Sequence, residues 1–171
     1  TSALPVGNGG IGAMFFGGVA KEQLQFNDKT LWAGSTTRRG AYQNMGDLFF
    51  EFDTPETCTN YRRELSLDDA IGRVSYTIDG VDYLREYFAS NPDSVIVVRL
   101  QADKAGALAF TVGYDAPLKH EVNTEGDLLT ITCEGKDQEG VKAALRAECR
   151  VKVVSDGQTT AEGKNLEVTG A

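Results

Sequence analysis

The stretch from Leu145 to Val153, "LRAECRVKV", alternates apolar and charged side chains without a break. The apolar set is Leu145, Ala147, Cys149, Val151 and Val153, and the charged set is Arg146, Glu148, Arg150 and Lys152. A β-strand turns successive side chains to opposite faces, so this pattern places one face on a core and the other in water. It predicts a half-buried strand of an antiparallel sheet.

The same period of two recurs along the chain. It appears in "LAFTV" (108–112) and in "LTITC" (129–133). In "VSYTIDGVDYLREYF" (74–88), Asp79-Gly80 supplies a type I′ turn, which predicts a hairpin. "SVIVVRL" (94–100) is a continuous apolar run, which favours a strand covered on both faces. Further turn signals lie at 91–94, 102–106, 123–127, 134–140 and 155–158.

Helical periodicity is nearly absent. The best candidate is a single helical turn around "LDDAIGR" (67–73), and Gly72 weakens it. The chain has no linker-like segment, no low-complexity tract and no repeat. Residues 1–171 are therefore predicted to form one all-β domain, an antiparallel sandwich or barrel.

Composition excludes several classes of partner. Of the 171 residues, 41% are hydrophobic, and 17 Lys and Arg face 25 Asp and Glu, a net charge of -8. An acidic chain is a poor partner for nucleic acid or an anionic membrane, and no apolar run approaches the length of a membrane span. Cys58, Cys133 and Cys149 lack the paired spacing of a disulfide framework or zinc site. Cys133 and Cys149 are in phase with apolar neighbours, which predicts buried thiols.

Near the start, "LPVGNGGIGAMFFGG" (4–18) matches G-x-G-x-x-G at Gly7, Gly9 and Gly12. A dinucleotide loop needs a buried strand before it and a helix after it. Only six residues precede Gly7, and the four residues 13–16 run into two glycines, so no helix can form. The glycines are better explained by a tight turn that enters a short strand.

The inventory of reactive side chains specifies no active site. The single histidine, His120, lies in the polar stretch "LKHEV", which is typical of a solvated strand end. Carboxylates are plentiful, but the sequence does not show which two would face each other. We expect no metal and no cofactor, because histidine clusters and cysteine pairs are missing.

One segment, "LQFNDKTLWAGS" (24–35), combines the only tryptophan with amide, carboxylate and hydroxyl groups. Trp32 could stack on the apolar face of a sugar while Asn27, Asp28 and Thr30 bind its hydroxyls. Alternatively, Trp32 is a core or interdomain anchor, and Asn27 and Asp28 satisfy a loop backbone. The second interpretation is favoured, because a lone tryptophan is usually buried at least in part.

Four segments in order resemble the N-terminal domain of glycoside hydrolase family 95. They are "LPVGNGGIGAMFFGG", "LQFNDKTLWAG", "YQNMGDLFFEF" and the run from Tyr61 to Val112. The chain departs from the family pattern in two places. Gly10 and Ile11 stand where the family has arginine and leucine, and Asp28-Lys29 stand where it has Glu-Asp.

The resemblance implies a β-sandwich of the supersandwich type, joined in the same polypeptide to a catalytic (α/α)6 barrel that these residues do not include. The family contains α-L-fucosidases that act with inversion, typically on α-1,2-linked fucose, in the periplasm or outside the cell. It implies that the catalytic residues belong to the barrel, so none is assigned in this chain. The loops Asn8–Gly12 and Asn27–Trp32 are the candidates for a face toward the barrel or its sugar, with Asn8, Asn27, Asp28, Thr30 and Trp32 as site residues.

Two other classes of function stay open. A free-standing carbohydrate-binding sandwich would expose two or three aromatic side chains on one face or loop edge. A structural or adhesive sandwich domain has no specific signal in the sequence.

Overall fold

The computed structural model describes residues 2–35, 37, 40–137 and 140–171. Sixteen strands and no helix form within them. In chain order the strands are β1 (Leu4–Gly7), β2 (Ile11–Phe15), β3 (Lys21–Asp28), β4 (Trp32–Ala33), β5 (Ala41–Tyr42), β6 (Gly46–Phe52), β7 (Thr59–Ser66), β8 (Ile71–Ile78), β9 (Val81–Ser90), β10 (Val95–Ala102), β11 (Phe110–Asp115), β12 (Lys119–Glu125), β13 (Leu128–Glu134), β14 (Arg146–Lys152), β15 (Gln158–Glu162) and β16 (Asn165–Thr169).

Two layers make up the sandwich. The first is a seven-stranded sheet in the order β1-β2-β3-β6-β11-β16-β15. The second contains a four-stranded sheet, β10-β9-β8-β7, and a three-stranded sheet, β12-β13-β14. The four-stranded sheet contacts β1 and β2, whereas the three-stranded sheet contacts β15 and β16. Strands β4 and β5 form a separate hairpin. The predicted antiparallel, all-β sandwich is confirmed.

The core lies between the layers because every second residue on each strand faces inward. Registered pairs carry this alternation from strand to strand, as in Phe15 opposite Leu24 and Val112 opposite Phe50. The buried members form a single cluster that includes Leu129, Ile131 and Cys133 of the three-stranded sheet. One continuous core therefore joins all three sheets, as expected for a single domain.

Several local predictions are confirmed. Asp79 and Gly80 take φ values of 50° and 79° and join β8 to β9, as a type I′ turn requires. The Leu145–Val153 stretch contains β14, and the Asn8–Gly10 segment is the turn between β1 and β2. Cys133 and Cys149 are free thiols packed on the core, and burial raises the pKa of Cys149 to about 11. The turn predicted at 134–140 includes residues 138 and 139, which lie outside the described residues.

Two local predictions are wrong. Residues 67–70 form the turn between β7 and β8 instead of starting a helix, because Ile71 is already paired with Ser66. The run "SVIVVRL" supplies β10, but this strand is the edge of its sheet and its side chains are half-buried or exposed. Covering both faces of β10 would need neighbours that the described residues do not supply. Among those residues, no helix is long and apolar enough to cross a membrane.

A stacked aromatic pair joins the two layers. The rings of Phe15 on β2 and Tyr87 on β9 lie 4.4 Å apart and within 7° of parallel. Both side chains are fully buried. A Cβ atom added at Gly72 of β8 would overlap carbons of the Phe15 ring. Gly72 is therefore needed for close approach of the layers, which explains a glycine inside a strand.

A buried ion pair also links the layers. Glu22 of β3 and Arg85 of β9 are 1% and 2% exposed, and their Oε2 and Nη1 atoms lie 3.5 Å apart. The Tyr87 hydroxyl donates to Glu22 Oε2 at 2.9 Å, and the Arg85 guanidinium lies 3.8 Å from the centroid of the Phe52 ring. Burial, and then the charge of Glu22, raises the pKa of Tyr87 well above its ordinary value. The phenol therefore stays a neutral donor to the carboxylate.

The same charges hold the loop between β2 and β3. Glu22 Oε1 accepts hydrogen bonds of 2.9 Å from the backbone N–H groups of Phe16 and Gly17. Arg85 donates to the carbonyl oxygens of Gly18 and Val19, each at 2.6 Å. Backbone groups that the loop would otherwise bury unpaired are thereby satisfied, at a point where both layers meet.

Replacing Gly72 by alanine tests the close approach of the layers. We expect Gly72→Ala to lower the free energy of unfolding by about 1–3 kcal/mol, because the Phe15 ring is held by Tyr87 and cannot move away freely. Gly10→Ala is the matched control, since its Cβ would meet only Asn8 Oδ1 at 3.4 Å. Urea unfolding measures both variants, and equal stability of the two would contradict the packing described.

Removing the negative charge of Glu22 tests the ion pair. We expect Glu22→Gln to lower the free energy of unfolding by about 3–5 kcal/mol, because Arg85 would remain buried without a counter-charge. Glu51→Gln is the control, because the Lys21–Glu51 pair is more than half exposed and contributes about 0–1 kcal/mol. If both variants unfolded at the same urea concentration, the ion pair would not stabilise the junction.

Candidate functional site

The predicted site segments meet at one end of the seven-stranded sheet. Ile11 pairs with Asp28 and Gly12 with Asn27, which sets the β1–β2 turn beside the end of β3. The backbone N–H of Lys29 donates to the carbonyl of Gly10 at 2.9 Å. The chain then continues directly into β4 with Trp32. The structure thus brings the two segments together, although their role in sugar contact stays a prediction.

Asn8 has a structural task in this turn. Its Oδ1 accepts hydrogen bonds of 2.9 Å from the N–H groups of Gly10 and Ile11. Its Nδ2 donates to the carbonyl of Ser90 at the end of β9, at 2.7 Å. Side-chain atoms used in this way tie the turn to the second layer and are poorly available to a ligand.

Asp28 and Thr30 form the next turn. Asp28 Oδ1 accepts hydrogen bonds from the Thr30 hydroxyl and, at 2.7 Å, from the Thr30 backbone N–H. The Thr30 hydroxyl and then its N–H lower the pKa of Asp28 below the usual value for aspartic acid. Asp28 is therefore a stable anion that closes a turn, which does not suit it to act as a proton donor.

Asn27 lies on the outer face of the seven-stranded sheet, opposite Gly12. Its Oδ1 is buried and has no hydrogen-bond partner among the described residues. Asp47 Oδ1, on the same face of neighbouring β6, is in the same situation. Buried acceptors are usually paired, and both of these oxygens are covered by their neighbours, so they are not accessible to a ligand in this structure.

Trp32 lies at the surface, where it pairs with a second aromatic side chain. It is 44% exposed, and Tyr42, directly opposite on β5, is 59% exposed. The ring centroids are 4.9 Å apart and the planes cross at 88°. Of the two anchor roles considered for Trp32, the place in the core is wrong, whereas the interdomain contact stays a prediction. The alternation of the short strand gives the inner positions to Leu31 and Ala33, which are buried.

The hairpin that carries this aromatic pair is anchored on both sides. The N–H of Gln43 donates to the carbonyl of Leu31 at 2.8 Å, and Met45 is buried in the core. Gln43 Oε1 accepts from the backbone N–H of Lys136 at 3.0 Å, which connects the hairpin to the loop after β13. The two rings are thus presented on a supported backbone.

Chemically, the described side chains at this end of the sandwich supply two aromatic rings beside polar groups that close turns. Two perpendicular rings form a corner that can hold the apolar face of a flat ring, and amide and carboxylate oxygens lie on the adjoining strand ends. His120 lies elsewhere, with Nδ1 2.9 Å from the carbonyl of Leu118 and its ring edge-on to Tyr114. In the part of the chain that the structure describes, no three His, Cys, Asp or Glu side chains group as metal ligands would.

Sequence reasoning missed Tyr42 and the pair Glu22–Arg85. Glu22 occupies an inward position of β3, two residues before Leu24, and Arg85 stands between the inward residues Tyr83 and Tyr87 of β9. A charge at a core-facing position of an alternating strand is a signal for a buried ion pair. No comparable signal existed for Tyr42, because the pairing that sets it opposite Trp32 spans a long loop.

The family model for the N-terminal domain of glycosyl hydrolase family 65 matches residues 1–42 and 35–171. The chain belongs to this family of glycosyl hydrolase N-terminal domains. The all-β architecture agrees with this membership. The predicted resemblance to a glycoside hydrolase N-terminal domain is confirmed.

Two curated proteins are similar to this glycosyl hydrolase domain. Alpha-L-fucosidase 2 of Arabidopsis thaliana is 37% identical over 163 residues, which cover 72% of the domain and 19% of the plant protein. Probable alpha-fucosidase A of Aspergillus niger is 25% identical over 146 residues, 61% of the domain and 18% of the fungal protein. The domain therefore spans about a fifth of the length of these relatives.

The single tryptophan of the domain provides a direct test of the exposed pair. We expect acrylamide to quench Trp32 fluorescence efficiently, because 44% of the residue is accessible. Tyr42→Ala should increase the quenching constant further, since it removes the ring packed against the indole. Tyr61→Phe, at another exposed tyrosine, is the control. Blue-shifted emission that acrylamide does not quench would contradict the surface position.

Proposed function

We propose that this domain is the non-catalytic N-terminal domain of an α-L-fucosidase-type glycoside hydrolase of family 95. The whole enzyme would hydrolyse terminal, typically α-1,2-linked, fucose from glycans with inversion of configuration. The ordered motifs from Leu4 to Val112 and the 37% identity to a plant protein named Alpha-L-fucosidase 2 support this proposal. Catalysis would belong to a helical barrel of the same polypeptide, and the domain alone would be inactive. A periplasmic or extracellular location is proposed from the family resemblance alone.

Within that enzyme, we propose that the Trp32–Tyr42 corner forms one wall of the sugar pocket. The observation that carries this proposal is the exposure of both rings on an anchored hairpin. Two adjacent exposed aromatic side chains are unusual on a surface that faces only water, and they suit a ligand with an apolar face. A pyranose has such a face.

The same pair of aromatic side chains favours a second candidate, a carbohydrate-binding module that works without a catalytic barrel. Calorimetric titration of the 171-residue chain with fucosylated glycans separates the two. Saturable binding that Trp32→Ala abolishes would favour the module. Absence of heat would favour a wall that binds sugar only when the barrel completes the pocket.

Kinetics of the full-length enzyme test the wall. Loss of one aromatic contact removes about 0.5–1.5 kcal/mol, so Trp32→Ala and Tyr42→Ala should each raise KM for the fucosylated substrate roughly 2- to 12-fold. Leu67→Ala is the control, because Leu67 is 87% exposed in the turn between β7 and β8. Unchanged kinetics with a lowered Tm would contradict the proposed pocket wall and would leave Trp32 as an interdomain contact.

A further inference from the structure

The second layer of the sandwich is divided, and both parts end in an unpaired strand toward the middle. In the first layer, the edge strand β1 contacts β7, β8 and β9 of the four-stranded sheet, whereas its neighbour β2 contacts β9 and β10. On the opposite side of the first layer, the edge strand β15 contacts β12 of the three-stranded sheet, and its neighbour β16 contacts β13. This order sets β10 and β14 as the inner edges of the two smaller sheets. Among the described residues, no strand pairs with the free side of β10 or with the free side of β14.

β10 lacks the features that protect the edges of sheets. β1 carries Pro5, and β7 has a register shift between Thr59 and Arg62. Such features prevent a further strand from pairing. β10, in contrast, runs regularly for eight residues as "VIVVRLQA", and its single charge, Arg99, lies 3.5 Å from Glu86. It has the composition of an interior strand.

The core-facing side chains of both edges are only partly covered. Val98 and Leu100 of β10 pack on the core yet remain half-buried, whereas their partners Tyr87 and Arg85 on β9 are fully buried. The same contrast occurs between half-buried Cys149 of β14 and buried Ile131 of β13. Apolar surface is therefore left open along both inner edges, where another strand would cover it.

We propose that a further β-strand of the same polypeptide, from outside residues 1–171, inserts between β10 and β14 and pairs with at least β10. A segment of one chain can offer one edge to each neighbour, so it satisfies both open sides. A second copy of the domain pairing through β10 would leave β14 open. The relatives are about five times longer than the matched region, and a covalently attached strand docks at high effective concentration. This proposal does not depend on which sugar the enzyme binds.

Hydrogen exchange of the full-length polypeptide tests the inserted strand. With residue-level fragmentation, all amides from Ile96 to Gln101 should exchange as slowly as those of central β9, because an interior strand donates on both sides. An edge strand instead protects every second amide. Alternating fast and slow amides in β10 of the full-length polypeptide would overturn the proposal.

Two matched variants of the full-length polypeptide identify the occupant. Val98→Lys places a charge on the core-facing side of β10 and should abolish the protection of the β10 amides that point away from β9. Val97→Lys, on the opposite face of the strand, should preserve that protection. Protection should be independent of protein concentration. Protection that falls on dilution together with a dimer-to-monomer change in size-exclusion chromatography would indicate a second copy and overturn the assignment to the same polypeptide.

Discussion

The buried ion pair between Glu22 and Arg85 is the interaction on which the rest of this sandwich depends. One charge belongs to the seven-stranded sheet and the other to the four-stranded sheet, and neither is solvated. Charges in such a position are tolerated only when neighbouring groups satisfy them. The Tyr87 hydroxyl and the backbone of the 16–19 loop bind the carboxylate and the terminal guanidinium nitrogens, whereas Arg85 Nε has no hydrogen-bond partner among the described residues. The polar junction therefore fixes how the layers meet, while the surrounding apolar contacts supply the burial.

This junction also determines what the ends of the sandwich can present. The β2–β3 loop is held from inside by Glu22 and Arg85, which sets the start of β3 and, through its register with β2, the turn at Asn8. At the far end of β3, the chain enters the hairpin that exposes Trp32 and Tyr42. The exposed aromatic pair is thus carried by a hairpin that hydrogen bonds tie to the rest of the domain.

The local structure could be predicted from the sequence in considerable detail. Strict alternation identified β14, and Asp79-Gly80 identified the β8–β9 hairpin with its turn type. The glycine-rich start forms the predicted turn into a short strand, between β1 and β2. In contrast, Trp32 was interpreted as a core or interdomain anchor and does not lie in the core, and "SVIVVRL" was expected to be covered on both faces. Both errors concern the surroundings of a side chain, which depend on pairing between distant segments.

The sequence by itself determined the all-β class, the strand periods, the turns and the family, because each depends on neighbouring residues or on motifs read in order. Only the tertiary structure decided which strands are edges, which charges meet in the core and which aromatic side chains face water. Those outcomes depend on which strands pair and in which register, such as Trp32 opposite Tyr42 and β3 beside β6. A period of two shows that a strand has two faces, but the face that is covered is decided by what packs against it.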